Sequence, residues 1–344
     1  MSRVRDTPVL GATRVRDVRV AAEAACAGAG RAPERTADAA LVATEPATDP
    51  LRHTGGGRTV IDLVHRADTG SGLPGGCLRG ASPDHGPGIA DVPAALRHGC
   101  STGSLGAGPG TRRRTADDFD LHGTPGRGTV AVARSGREAP TARRAGGVTV
   151  PLARAEESGD AWSLVRAGAR PTLMLADGLG HGSRAARAST AAEREPRHAA
   201  RMPPAGLLRH LDTAPRPTRG AAVAVAQLGL DTGRLAFAGV GTVGARLRTD
   251  GARRPLESRP GLVGGHRPAA VPVQQCPWGR NSVPVRHGDG LPGRWTPPGD
   301  AGLLARDPAV VAVALLRDAG SAARPARDDT SVAVLAPRAA DRRP

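Results

Sequence analysis

The sequence predicts an α+β protein in two domains, the second of them a β-sandwich flanked by helices. Three observations carry this reading. At 344 residues the chain has material for two hydrophobic cores of ordinary size. In the second half, many short strand patterns accompany segregated Ala-rich helical patterns, which favours an α+β sandwich over a doubly wound sheet. Between the halves, residues 136–147 are polar and rich in Gly and Arg, the composition of a linker.

The elements follow in chain order. Residues 1–12 read as a loose tail. Residues 14–29 are Ala-rich with a helical pattern, and a second helical pattern runs from Thr36 to His53 and stops at Gly55-Gly56-Gly57. Residues 59–64, TVIDLV, read as a strand because β-branched residues dominate. A Gly/Pro-rich loop is expected through Gly88, then a short helix over 91–98, a Gly-rich stretch over 103–110, and strands near 118–122 and 129–133. In the second half, strands are expected over 148–155, 161–166, 170–176, 221–230, 234–240, 282–286 and 331–335. Helices are expected over 183–194, 202–211 and 308–318. Asp231-Thr232-Gly233 is the hairpin signal between two of these strands.

The formal charge of +16 raises the question of nucleic acid. The sequence has no Lys, its arginines are spread over the whole length, and its aromatics are Phe119, Phe237, Trp162, Trp278 and Trp295. Base-stacking platforms need clustered aromatics, so no specific nucleic-acid binding is expected. No run of about 18 apolar residues occurs, so no membrane helix is expected. The N-terminal stretch lacks the apolar region of a secretion signal. The cysteines at 26, 77, 100 and 276 form no CxxC pair, which fits reduced thiols and a cytoplasmic location.

Four acidic positions share one grammar. Asp160 stands before a strand, Asp177 ends an apolar strand and precedes Gly178, Asp289 precedes Gly290, and Asp328 precedes the last strand. Carboxylates at strand ends can converge on one edge of a sheet. Hard cations such as Mg²⁺ and Mn²⁺ take oxygen ligands, and a pair of them lowers the pKa of water and offsets charge on phosphoryl oxygens. Each Asp alone is as readily a turn former.

The ordered set is more specific. Asp160-Ala161-Trp162, then ADGLGHG over 176–182 leading into an Ala-rich helix, resembles the SpoIIE-like branch of the metal-dependent (PPM) protein phosphatases. So do Gly239–Val243, Ser258–Gly264, His287–Leu291 and Arg327–Thr330, all in that family's order over residues 145–337. The resemblance implies a PPM-type β-sandwich over 147–337. It also implies two Mn²⁺ or Mg²⁺ ions held by Asp160, Asp177, Asp289, Asp328 and the Gly178 carbonyl. His181 is implied as the acid that protonates the leaving oxygen, or else as a residue that packs at the start of the next helix. Pro284 departs from the pattern, because proline removes a ladder hydrogen bond from a central strand.

The first half resembles histidine-kinase-like ATPases of the anti-sigma-factor serine kinase type. The resemblance rests on residues 39–53, Asp84–Ile89, Gly103–Gly110 and Pro125–Val130, and it implies an α/β sandwich over 13–136 with a linker at 137–146. Under it, Glu45 activates a protein hydroxyl, Asp49 holds Mg²⁺, and Asp84 receives the adenine amino group. Gly86, Gly88, Gly108, Gly110 and Thr129 line an ATP–Mg²⁺ site. Several residues argue that this site is degenerate. Pro46 and Pro50 lie inside the ligand-bearing helix, each at a cost of about 3 kcal/mol, and Pro109 removes an N–H from the phosphate loop.

The resulting expectation is a phosphatase acting on phosphoserine or phosphothreonine of a bacterial regulatory protein such as an anti-anti-sigma factor. The alternatives are a catalytically impaired docking protein of a sigma-factor partner-switching pathway, or a bifunctional kinase–phosphatase.

Overall fold

The computed structural model describes residues 4–28, 30–65, 76–98, 116–136, 145–152, 155, 157–197, 199–213, 218–249, 252–279, 283–287, 290–291, 300–320 and 328–336. It is a mixed α/β structure built on three five-stranded antiparallel sheets.

The first sheet is formed by β1 (Arg5–Val9), β2 (Gly57–His65), β3 (Gly76–Pro83), β4 (Asp118–Thr124) and β5 (Gly128–Ser135), in the order β1-β2-β3-β5-β4. One face carries Ile61, Leu63 and Leu78 and packs on α1 (Ala12–Gly28) and α2 (Pro33–Thr54) through Val18, Ala22, Ala39 and Ala43. A short α3 (Val92–His98) lies near β4. One expectation is corrected here and another is met. The segment expected to be a tail contains β1, whose residues 5–9 pair with β2 from Ile61 back to Gly57. Helix α2 runs through both Pro46 and Pro50, as the pattern over 36–53 predicts, because its Ala-lined face is buried against the sheet, and tertiary packing outweighs local propensity. Pro33 opens α2 at its first turn, and Gly55, at φ 72°, closes it with its N–H on the Pro50 carbonyl.

The second half is a sandwich. One sheet has the order β13 (Gln274–Pro277), β10 (Arg234–Val240), β9 (Ala221–Gly229), β8 (Arg170–Gly178), β7 (Asp160–Ala167). The other has the order β12 (Ala252–Leu256), β11 (Gly244–Thr249), β14 (Val283–His287), β15 (Thr330–Leu335), β6 (Ala145–Val150). Leu173, Leu175, Leu228, Leu235, Phe237, Leu247 and Leu335 fill the space between them. Helices α4 (Ser183–Arg194) and α5 (Pro204–Thr213) cover the outer face of the first of these sheets, meeting Met174, Val223 and Val225. Pro284 is accommodated in β14. The strand pairs with β11 from Val283 to His287 but with β15 only from Val285 to His287, which shortens one ladder next to the residue that has no N–H.

Short α6 (Ala301–Leu304) leads into α7 (Pro308–Ala319), the apolar helix of the sequence. Asp307 caps α7 by accepting the Ala309 N–H at 2.8 Å. Every residue from Pro308 to Arg317 is buried, and a helix apolar all round must be covered on all sides. The outer face of β6 and β15 covers one side through Val148, Val150, Val332 and Val334. The second face of the first sheet covers the other through Val60, Ala81, Val130 and Val132. The two halves therefore share one core across α7. At its border, Arg79 of β3 pairs with Asp62 of β2 and also donates to the Gly147 carbonyl of β6. Arg134 of β5 joins Asp118 and Asp307, each at 2.7 Å. Among the described residues, no helix is long and apolar enough to cross a membrane.

Candidate active site

Asp160 opens β7 and Asp177 lies at the end of β8, and the register makes them direct cross-strand partners. Opposed residues of an antiparallel pair put their side chains on one face with Cβ atoms about 4.5–5.5 Å apart. The strand period identifies that face. Asp177 follows Leu173 and Leu175, and Asp160 precedes Trp162 and Leu164, all of which point between the two sheets. The acid pair thus sits at the open end of the inter-sheet space, with Asp160 only 1 % exposed.

Two further loops meet this end. The Gly178 N–H donates to the Gly159 carbonyl at 3.0 Å, which ties the residues flanking both acids. Thr242, where the chain passes from β10 to β11, donates its hydroxyl to Asp177 Oδ2 at 3.3 Å. Asp328 and Asp329 immediately precede β15. The Asp329 carboxylate accepts the Gly159 N–H and the Leu152 N–H, both at 2.7 Å, while Asp328 Oδ1 accepts the Asp329 N–H at 2.8 Å. Burial raises the Asp329 carboxyl above the ordinary carboxylate range, against the lowering effect of its two backbone hydrogen bonds and of the nearby His181. His181 itself is exposed in the turn between β8 and α4.

Glycines let these loops close up. A Cβ at Gly178 would lie 2.7 Å from the Ala185 carbonyl carbon of α4, one at Gly159 would lie 2.8 Å from Asp329 Oδ2, and one at Gly290 would strike the Asp329 carbonyl. Asp289 lies outside the described residues. Its strand, β14, ends at His287 opposite Val332, so the chain leaves the sheet at the end where β15 begins. Among the described residues, no group of three or more His, Cys, Asp and Glu side chains stands at metal-binding spacing.

Asp160, Asp177, Gly178, His181 and Asp328, singled out from the sequence, are thus placed at one end of one sandwich. Asp329 and Thr242 lie inside the segments Arg327–Thr330 and Gly239–Val243 quoted from the sequence, but sequence reasoning gave neither a role at the site.

In the first half, Asp84 follows β3. Its Oδ1 accepts the Gly86 N–H at 2.8 Å and the Thr129 N–H at 3.1 Å. Gly86 lies against the Thr54 methyl at the end of α2, and Gly88 against the Thr124 carbonyl, so Asp84, Gly86, Gly88 and Thr129 gather at one edge of the first sheet. Glu45 lies nine residues before Thr54 on α2, about 13 Å along the helix axis. Asp49 is described only as a backbone position of α2, and Gly108 and Gly110 lie outside the described residues.

No protein-family model matches the chain, and no curated protein gives a significant match. Solved structures do. A structure of "the bacterial stressosome: a modular system that has been adapted to control secondary messenger signaling" is 22 % identical, with a TM-score of 0.50 over 56 % of this chain and 97 % of that chain. RsbX in complex with magnesium is 19 % identical, with a TM-score of 0.47 over 55 % of this chain and 92 % of that one. The SiaA-PP2C domain of Pseudomonas aeruginosa is 17 % identical, with a TM-score of 0.47 over 57 % of this chain and 87 % of that one. At these identities the likeness is one of fold, and it is the first structure that carries it.

Proposed function

We propose that the chain is a metal-dependent protein serine/threonine phosphatase that hydrolyses phosphoserine or phosphothreonine on a regulatory protein of the anti-anti-sigma type. The observation that carries this reading is the Asp160–Asp177 cross-strand pair at the mouth of the inter-sheet space, with the Asp328-Asp329 loop bonded to Gly159 beside it.

The donor set fits Mg²⁺ or Mn²⁺. It is made of oxygens, and the glycines at 159, 178 and 290 bring backbone close to the carboxylates where a Cβ would collide. Asp160, Asp177, Asp289, Asp328 and the Gly178 carbonyl would hold two such ions. Bound there, the ions would polarise phosphoryl oxygens and lower the pKa of water. The chain's own residues supply the rest. Asp329 fixes the loop that carries Asp160, Thr242 orients Asp177, and exposed His181 would give a proton to the leaving serine or threonine oxygen. The first half enters as a regulatory module of kinase-like ancestry, and ATP affinity of the full chain at millimolar ligand tests whether it retains a nucleotide site.

The test of the main reading is phosphate release from a phosphoseryl regulatory protein with and without Mn²⁺. Asp177→Asn is expected to lower release at least 100-fold, an order set by the loss of an essential ligand, while circular dichroism is unchanged. Release that survives in Asp177→Asn would overturn the assignment.

A further inference from the structure

The loop between Asp177 and His181 has an unexplained neighbour. Arg219 stands just before β9, and Gly220 and Ala221 anchor it. The Gly220 carbonyl accepts the Leu179 N–H at 3.1 Å, and Ala221 is the register partner of Gly178. The backbone of Arg219 is therefore fixed beside the strand end that bears Asp177. Its side chain reaches forward over the loop, with Nη1 4.0 Å from where a Cβ on Gly180 would stand. Gly180 in turn faces Gly159, whose added Cβ would lie 3.3 Å from the Gly180 carbonyl. The guanidinium thus lies beside the loop that joins Asp177 to His181. Arg219 is exposed, and among the described residues its side chain makes no hydrogen bond or ion pair.

The buried or half-buried arginines Arg79, Arg134 and Arg267 are each held by a carboxylate. Arg219 has none among the described residues, although the site below it is rich in carboxylates. A guanidinium presents a planar fork of donors matched to two oxygens of a phosphate. Gly180, with no side chain, leaves the space beneath the fork open.

We propose that Arg219 grips the phosphoryl oxygens of the substrate's phosphoserine or phosphothreonine and holds the phosphate over the Asp160–Asp177 end. The proposal rests on the phosphatase reading, and it adds a substrate-binding residue that the acid grammar of the sequence does not contain.

The experiment uses the full chain with Arg219→Ala and Arg219→Lys. It measures kcat and KM for a phosphoseryl peptide in Mn²⁺, and separately the calorimetric affinity for inorganic phosphate and for Mn²⁺. For Arg219→Ala, KM is expected to rise and phosphate affinity to fall by about 10- to 100-fold, the range for a lost hydrogen-bonded charge. Mn²⁺ affinity and the melting temperature should stay at wild-type values. Arg219→Lys should recover part of the loss, because a point charge replaces the fork. Wild-type KM and phosphate affinity in Arg219→Ala would overturn the proposal, as would a wild-type chain that binds no phosphate. A wild-type chain that binds phosphate through Arg219 but releases none from the peptide would overturn the phosphatase reading and leave the arginine site standing.

Discussion

Arg79 offers the sharpest test of the buried polar contacts beside the seam. It is 3 % exposed and its partner Asp62 is 5 % exposed. Its Nε donates to Asp62 Oδ1 at 3.0 Å, and its Nη2 serves both Asp62 Oδ2 and the Gly147 carbonyl. Arg79→Met keeps most of the volume and removes the charge. Asp62 is then a buried carboxylate without its counter-ion, a loss that costs about 3–5 kcal/mol, and the Gly147 carbonyl loses a donor. The double variant Arg79→Met/Asp62→Leu removes both charges, and replacing a buried pair by apolar residues is close to neutral. It should therefore recover about 3 kcal/mol of the loss and keep only the cost of the Gly147 carbonyl, about 1 kcal/mol. Urea denaturation measures both changes. Trp162 is a built-in reporter, since its ring centroid lies 5.7 Å from the Arg79 guanidinium carbon, and far-UV circular dichroism checks that a single transition is followed. A loss below about 1 kcal/mol in Arg79→Met, or a double variant no better than the single, would refute the account of a buried, mutually dependent pair.

Two further outcomes are expected. Asp329→Ala removes the acceptor of both the Gly159 and the Leu152 N–H, so calorimetry should show Mn²⁺ affinity falling by about 10- to 100-fold, as for other residues that orient ligands; unchanged affinity would separate Asp329 from the site. Burial depresses the pKa of His122, with Asp300 and Asp120 opposing that shift and Arg306 and Arg317 adding to it. As pH falls through the unfolded value of about 6.5, the unfolded chain gains a proton that the folded chain resists, so stability drops with acidification until the depressed folded pKa is passed. His122→Gln should flatten the urea-midpoint profile across that window, and an unaltered slope would exclude His122 as its source.

Where local pattern and tertiary environment agree, the sequence was legible. Helix α4 spans Ser183–Arg194 as its Ala-rich pattern predicts, and the hairpin of β9 and β10 turns at Asp231-Thr232-Gly233. Strands β11 (GARLRT) and β12 (ARRPL) escaped notice because the alternation in β11 rests on Ala245 and Leu247 alone and β12 has only Leu256 buried. Their pairing with each other and with β14 defines them, and strand preference reflects neighbours more than the residues themselves. Strand β3 was hidden in a Gly/Pro-rich stretch for the same reason. At the site, the Asp-Gly grammar marked the ends of β7 and β8 but could not give their register, which makes Asp160 and Asp177 partners. No sequence rule marks Arg219, whose place depends on the distant loop that carries Gly180.

The boundary between halves shows the deeper limit. Composition marks a break near residues 137–146, and β6 begins at Ala145, yet the chain does not divide its cores there. Helix α7 belongs by sequence to the second half. Its Asp307 meets Arg134 and donates its N–H to Asp120 at 2.8 Å, while Asp318 at the far end meets Arg127 at 3.0 Å. Polar contacts therefore hold both ends of the helix to the first sheet, and its apolar middle is shared with β6 and β15. Separating the halves would expose the valines of α7 to water at about 25 cal/mol per Å² and strip Arg79 of the Gly147 carbonyl and Arg134 of Asp307. A linker read from composition describes only how the chain crosses the seam; the seam itself is set by contacts between residues 68 apart, as Arg79 and Gly147 are, or 173 apart, as Arg134 and Asp307 are.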